Sequence, residues 1–221
     1  MREIDSKDRP SDMKTDLDIR VVELLCSRLC HELVSPVGAI NNGVELIEEM
    51  GAEMADEAIG LIAHSADQAS RRLRLLRLAY GAAGSDKSGL QEAAQAAEAY
   101  FADSKIKLEW PPGRLEQGGQ LPAGTGKVLL NLVILAEEAL AYGGRIVVAP
   151  DSGGHPAVTA LGRNAGLKPE AIQALSGDVE VESLTPRTVH AYVSGRFAQH
   201  LSLKVTTLQA GPESFAFGLR G

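Results

Sequence analysis

Aromatic side chains are scarce in this 221-residue sequence, with four Phe, four Tyr and one Trp, 4% of the chain. Strand-rich folds draw on aromatic and β-branched residues, so an all-β sandwich is disfavoured, and the abundance of Leu and Ala favours helices. Positive charge is also short. Twenty-two Lys and Arg stand against 29 Asp and Glu, a net charge of -7, which argues against a protein held to nucleic acid by bulk charge. Only two cysteines occur, Cys26 and Cys30. They lie one turn apart on an expected helix, where side chains are poorly placed for a bridge, so reduced core thiols in a cytoplasmic protein are expected. There is no apolar run of about 18 residues and no charged-then-apolar leader, so neither a membrane span nor a secretion signal is expected. What is present is an apolar content of 44%, enough for a real core in one large domain or two small ones.

Residues 1–15 read as a flexible, charged tail. Thr15-Asp16-Leu17-Asp18 looks like a capping box. From there Val22, Cys26, Leu29, Leu33, Val37, Ile40, Val44 and Ile47 recur at steps of three and four, the signature of one buried helical stripe over about 16–50, with Gly51 as the stop. Ile59, Ile62, Ala66, Ala69, Leu73, Leu76 and Tyr80 form a second, heptad-like seam. That helix starts acidic (Glu53, Asp56, Glu57) and ends basic (Arg71, Arg72, Arg74, Arg77), a gradient that complements the helix dipole. A short loop makes the two helices antiparallel neighbours, and residues 16–82 are expected to form a helical hairpin. Two helices bury two seams poorly, so pairing of two hairpins into a four-helix bundle, and hence a homodimer, is expected.

Residues 83–89 close a small, polar, glycine-rich linker. Over 90–221 the pattern predicts helices at Leu90–Ala102, Ala123–Tyr142, Pro169–Leu175 and Pro186–Leu201, with Thr185 as the last one's N-cap. Strands are expected at Lys105–Trp110, Arg145–Ala149, Ala157–Gly162, Lys204–Gln209 and Ser214–Arg220. The fold class is therefore α+β, a helical hairpin followed by an α/β sandwich. Gly124-Thr125-Gly126-Lys127 resembles the end of a P-loop but lacks its first glycine and hydroxyl residue, and reads as a tight turn opening a helix.

His31 stands beside Glu32, with Pro36 five residues on. Proline inside a helix removes a backbone hydrogen bond, at a cost of about 3 kcal/mol, and here frees the Glu32 carbonyl. On a helix His31 shares a polar, small-residue face with Arg28, Ser35, Gly38 and Asn42, offset from the apolar stripe. That face points outward and admits close approach by another protein. A neutral imidazole is a competent nucleophile toward a phosphoryl group. Glu32 is placed to orient the ring or help move a proton, and Arg28 to neutralise phosphoryl oxygens. His64, His155, His190 and His200 lack such a setting. Cys26, Cys30 and His31 find no second ligand cluster to complete a metal site.

His31-Glu32-Leu33-Val34-Ser35-Pro36-Val37-Gly38-Ala39-Ile40 resembles the phosphoacceptor box of sensor histidine kinases, and the chain downstream is similar in element order to their ATP-binding domain. The departures set the expectation. The kinases' N-x-x-x-N box aligns at Asn131, but Leu135 replaces the second Asn. Ala157–Asn164 lacks the adenine-reading Asp, and Ser183–His190 stands where the glycine-rich lid belongs. The resemblance is therefore to the ChpT-type histidine phosphotransferases of alphaproteobacterial phosphorelays, with a degenerate ATPase-like domain. It implies that His31 accepts a phosphoryl group from a receiver-domain aspartyl-phosphate and passes it to the aspartate of a second receiver. It also implies no ATP binding, no cofactor or metal held by this chain, and Mg supplied by the receiver. Ser35 stands where the kinases often carry an Asn or Thr that supports phosphatase activity. The alternatives are a non-catalytic dimeric adaptor for response-regulator receivers and a histidine kinase fragment.

Overall fold

A computed structural model describes residues 18–51, 54–81, 89–116 and 121–221. The expected tail, the first three residues of the capping box, Glu53 and the linker up to residue 88 lie outside the described residues. Asp18 is the N-cap of α1 (Ile19–Met50), its carboxylate accepting the Arg20 N–H at 2.8 Å. The helix thus starts at Ile19, because the last residue of the expected box is the one that caps. Gly51 ends it at φ 63°, a left-handed value that favours glycine, and its N–H reaches the Ile47 carbonyl.

α2 (Ala55–Tyr80) runs back along α1. Gly43 is buried in the crossing, where an added Cβ would sit 2.6 Å from Ile62 Cγ1 and 3.2 Å from the Ala58 carbonyl, so its absence lets the helices approach. Further along, Glu32 faces Arg72. No residue of the α1 stripe is fully buried by this pairing, and only part of the α2 stripe is. Ala69 and Leu76 are buried, whereas Val37 (48%), Val44 (43%), Ile59 (56%) and Leu73 (51%) are exposed. Cys26 and Cys30 are free and exposed, against the expectation of core thiols, because they stand on the face of α1 that neither α2 nor the other described residues cover.

The remainder is α3 (Gly89–Phe101), β1 (Ile106–Glu109), α4 (Pro112–Glu116), α5 (Thr125–Glu138), β2 (Gly144–Pro150), β3 (Pro156–Leu161), α6 (Pro169–Ser176), a 3-10 turn (Val181–Ser183), α7 (Val189–His200), β4 (Lys204–Gln209) and β5 (Ser214–Arg220). The five strands form one sheet in the order β1-β2-β3-β5-β4. β1 pairs with β2 in parallel, and the other pairings are antiparallel. Alternation puts Ile146, Val148, Val158, Ala160, Phe215, Phe217 and Leu219 on the buried face. They share one core with Val128, Leu129, Leu132 and Leu135 of α5, and that core continues into Leu75, Leu78 and Ala79 at the end of α2.

Three boundaries differ from expectation. The Pro111-Pro112-Gly113 stretch opens the short α4, with proline at a position that needs no N–H and Leu115 buried beneath it. α5 stops at Glu138, and Tyr142 lies beyond it at 61% exposure. α7 begins at Val189 with Thr188 as N-cap, because Thr185 and Thr188 close a separate turn, the Thr185 N–H donating to Thr188 Oγ1 at 3.0 Å.

Candidate functional site

His31 lies near the middle of α1 and is exposed. Ser35 and Asn42 are exposed on the same face, and the space beside Gly38 is open, with nothing within 4 Å of an added Cβ. The structure therefore brings four of the predicted face residues together. Arg28 and Glu32 turn elsewhere, toward the junction between the hairpin and the C-terminal domain. Arg28 Nη2 lies 2.5 Å from Glu138 Oε1, joining α1 to α5, with the two side chains 15% and 29% exposed. Burial pushes the Glu138 carboxyl up despite the nearby guanidinium. Glu32 pairs through its carboxylate with Arg72 Nη1 at 3.3 Å.

The carbonyl freed by Pro36 is also met by Arg72, whose Nη1 donates to Glu32 O at 2.7 Å. Pro36 itself is buried. The sequence pattern points to a carbonyl in need of a donor but does not identify the donor. The arginine cluster is not explained by the helix dipole. Only Arg77 lies in the last turn of α2, and dipole effects fade within that turn. Arg71 instead joins Asp67, Asp103 and the Ala99 carbonyl.

Behind Arg72 lies the Tyr100 ring, its centroid 5.6 Å from the guanidinium carbon. The Tyr100 hydroxyl donates to Glu137 at 3.1–3.2 Å. Burial is the main force that pushes the Glu137 carboxyl up to about 7, and burial likewise pushes the Tyr100 phenol above its ordinary value. Arg72, Tyr100 and Glu137 line two cavities of about 200 and about 220 Å³ between hairpin and domain. Tyr100, Glu137 and Glu138 carry no sequence motif and come to this place only through tertiary packing.

The region aligned with the kinase nucleotide site is built differently. Asn131 is fully buried, and its amide donates to the Ala79 carbonyl at the end of α2 and to the Lys127 carbonyl, each at 2.9 Å. Leu135 is fully buried in the core. Gly124 opens α5 at φ 81°, the tight turn expected, and Lys127 Nζ reaches the Gly81 carbonyl at 2.5 Å while lying 4.2 Å from the Phe197 ring centroid. His190, expected to be unremarkable chemically, is a core residue. Tyr80 Oη lies 2.6 Å from its Nδ1, and the Asn131 carbonyl lies 3.2 Å from its Nε2. Burial pushes its imidazole down to about 3. Asn131, Lys127 and His190 thus clasp the last residues of α2, whose terminal carbonyls lack helical partners. His64 (beside Gln68 Nε2 at 3.0 Å), His155 and His200 are exposed. Among the described residues no grouping of three His, Cys, Asp or Glu is placed to hold a metal ion, and no helix is long and apolar enough to cross a membrane.

Comparison with known proteins agrees with this architecture. The profile of the histidine phosphotransferase C-terminal domain matches residues 90–213. The protein phosphotransferase ChpT of Brucella abortus (strain 2308) is 36% identical over 201 residues, covering 88% of this chain and 92% of that protein. The chain belongs to the ChpT-type histidine phosphotransferase family. A solved bacterial phosphotransferase superposes with a TM-score of 0.75 at 31% identity, covering 92% of this histidine phosphotransferase and 97% of that chain. The resemblance read in the phosphoacceptor box therefore extends over both parts of the molecule.

Proposed function

We propose that this histidine phosphotransferase is a relay station of a two-component phosphorelay, with His31 as the phosphoacceptor. An imidazole nitrogen of His31 attacks the phosphorus of a receiver aspartyl-phosphate. The N–P bond forms as the bond from phosphorus to the aspartyl oxygen breaks, and the receiver carboxylate departs. The reverse step on a second receiver returns the imidazole. The observation that carries this reading is the exposed His31 on an open, small-residue helix face, in a chain of this family. Ser35, Gly38 and Asn42 serve as the docking surface for response-regulator receivers. Arg28 and Glu32 act through the junction behind that face, Arg28 by fixing α1 to α5 and Glu32 by setting the ring's surroundings. The receiver's acidic pocket supplies the Mg, which neutralises the transferring phosphoryl group.

Val34, Val37, Val44, Ile59 and Leu73 form an apolar hairpin surface that a second hairpin would cover, so the working state is a homodimer with a four-helix bundle. The chain works without ATP, since Asn131 and Lys127 are engaged with α2 and Leu135 is part of the core. The test incubates the protein with a receiver carrying radiolabelled aspartyl-phosphate, followed by an unlabelled second receiver. Label passes through the unaltered chain and not through His31→Ala. Equal passage through both, or micromolar ATP affinity in calorimetry, contradicts the proposal.

A further inference from the structure

The junction behind His31 contains a side chain with a more specific task than holding two helices together. In a regular helix the Glu32 carbonyl accepts from the N–H four residues on, but residue 36 is proline and has none. The ladder is therefore open one residue after the proposed phosphoacceptor. Arg72 fills the gap, because one of its nitrogens is 2.7 Å from that carbonyl and 3.3 Å from Glu32 Oε2. A single guanidinium thus grips both backbone and side chain of the residue next to His31. Its own place is fixed from behind by the Tyr100 ring, which Glu137 holds through the Tyr100 hydroxyl. Both contacts come from one nitrogen, and what distinguishes arginine from lysine here is the planar guanidinium lying over the Tyr100 ring, which a compact ammonium does not reproduce.

We infer that Arg72 is a positioning residue for His31, taking the place of the missing Pro36 N–H and thereby setting the turn of helix that carries the imidazole. The inference rests on the reading of His31 as phosphoacceptor. An ordinary stabilising ion pair would show no dependence on residue 36. A positioning role through the carbonyl does, because Pro36→Ala restores the helical donor and makes the arginine's contact redundant.

The experiment measures phosphoryl transfer from a saturating phosphorylated receiver for four proteins, namely the unaltered chain, Arg72→Ala, Pro36→Ala and the double variant. Receiver affinity is measured alongside. Arg72→Ala is expected to slow transfer about tenfold or more, as small misplacements of reacting groups do, with receiver affinity changed by less than about threefold. In the Pro36→Ala background the same substitution is expected to cost no more than about threefold. Equal losses in both backgrounds, no loss in either, or a weakened receiver affinity that accounts for the slower transfer would each overturn the inference. Arg72→Lys keeps the charge and the stem, so it guards against a folding failure of the alanine variant. With its helical circular dichroism intact it should still transfer at least about threefold more slowly, and an unchanged rate overturns the assignment. His31→Ala separates the two claims. If it still accepts label, the phosphoacceptor reading fails; if it does not and the Arg72 variants run at full rate, only the Arg72 inference fails.

Discussion

Asn131→Ala is the substitution that best separates a nucleotide-site residue from a structural clasp. The Asn131 amide makes two hydrogen bonds. The one to Lys127 O is redundant, because an i−4 carbonyl within α5 already has its helical N–H. The one to Ala79 O is not, since that carbonyl lies in the last turn of α2, beyond reach of helical donors. Removing the amide leaves a buried acceptor without this partner, at about 1–3 kcal/mol, and opens a small cavity in a fully buried site. The expected loss is about 2 kcal/mol, seen as a lowered midpoint in urea with an unchanged slope. For a domain of this size it corresponds to about 4–8 °C in Tm. Phosphoryl transfer by the folded fraction should be unaffected. A stability change below about 0.5 kcal/mol would refute the clasp, and a loss of transfer without loss of stability would show that Asn131 acts in transfer rather than in folding.

Two buried ionisable groups give opposed pH dependences. Glu137 has a folded pKa of about 7, above its ordinary 4.5, so the folded state holds more protons and stability falls as pH rises from about 4.5 to 7. The full shift corresponds to about 3 kcal/mol, and Glu137→Gln should flatten that slope in unfolding free energies measured across pH. His190, lowered from 6.5 to about 3, works in the other direction, with stability lost as pH falls from about 6.5 toward 3. Its destabilisation should appear in the Glu137→Gln protein as a fall in unfolding free energy below pH 6, where in the unaltered chain the two slopes partly cancel. Gly43→Val places branched carbons where even a Cβ meets Ile62 and the Ala58 carbonyl, and should spread the hairpin with a loss of about 1–3 kcal/mol in thermal or urea unfolding.

The helical hairpin and the exposed His31 are legible in the sequence because they rest on local rules. Periodicity sets α1 and α2, Asp18 and Gly51 cap α1, and offsets of four and seven place Ser35 and Gly38 beside His31. Even the open Glu32 carbonyl follows from Pro36 alone. Its partner does not, because Arg72 is 40 residues away in sequence and looks like any arginine of a basic helix end. The Arg28–Glu138 pair spans 110 residues, and the same holds for Tyr80 and His190. Such pairs depend on how the hairpin docks against the sheet domain, which no local pattern encodes. Cys26 and Cys30 show the converse error. Cys26 falls on the apolar stripe of α1 and Cys30, one turn on, does not, but a stripe says only that something covers it, and the other described residues leave both thiols open.

On this reading His31 carries the phosphoryl group. The direct measurement is phosphorus NMR of the protein after incubation with a phosphorylated receiver, together with mass spectrometry of its peptides. An acid-labile phosphoramidate on His31 is expected, and it disappears when an unphosphorylated receiver is added. Phosphate on any other residue, or no protein-bound phosphate while label still moves between receivers, contradicts it.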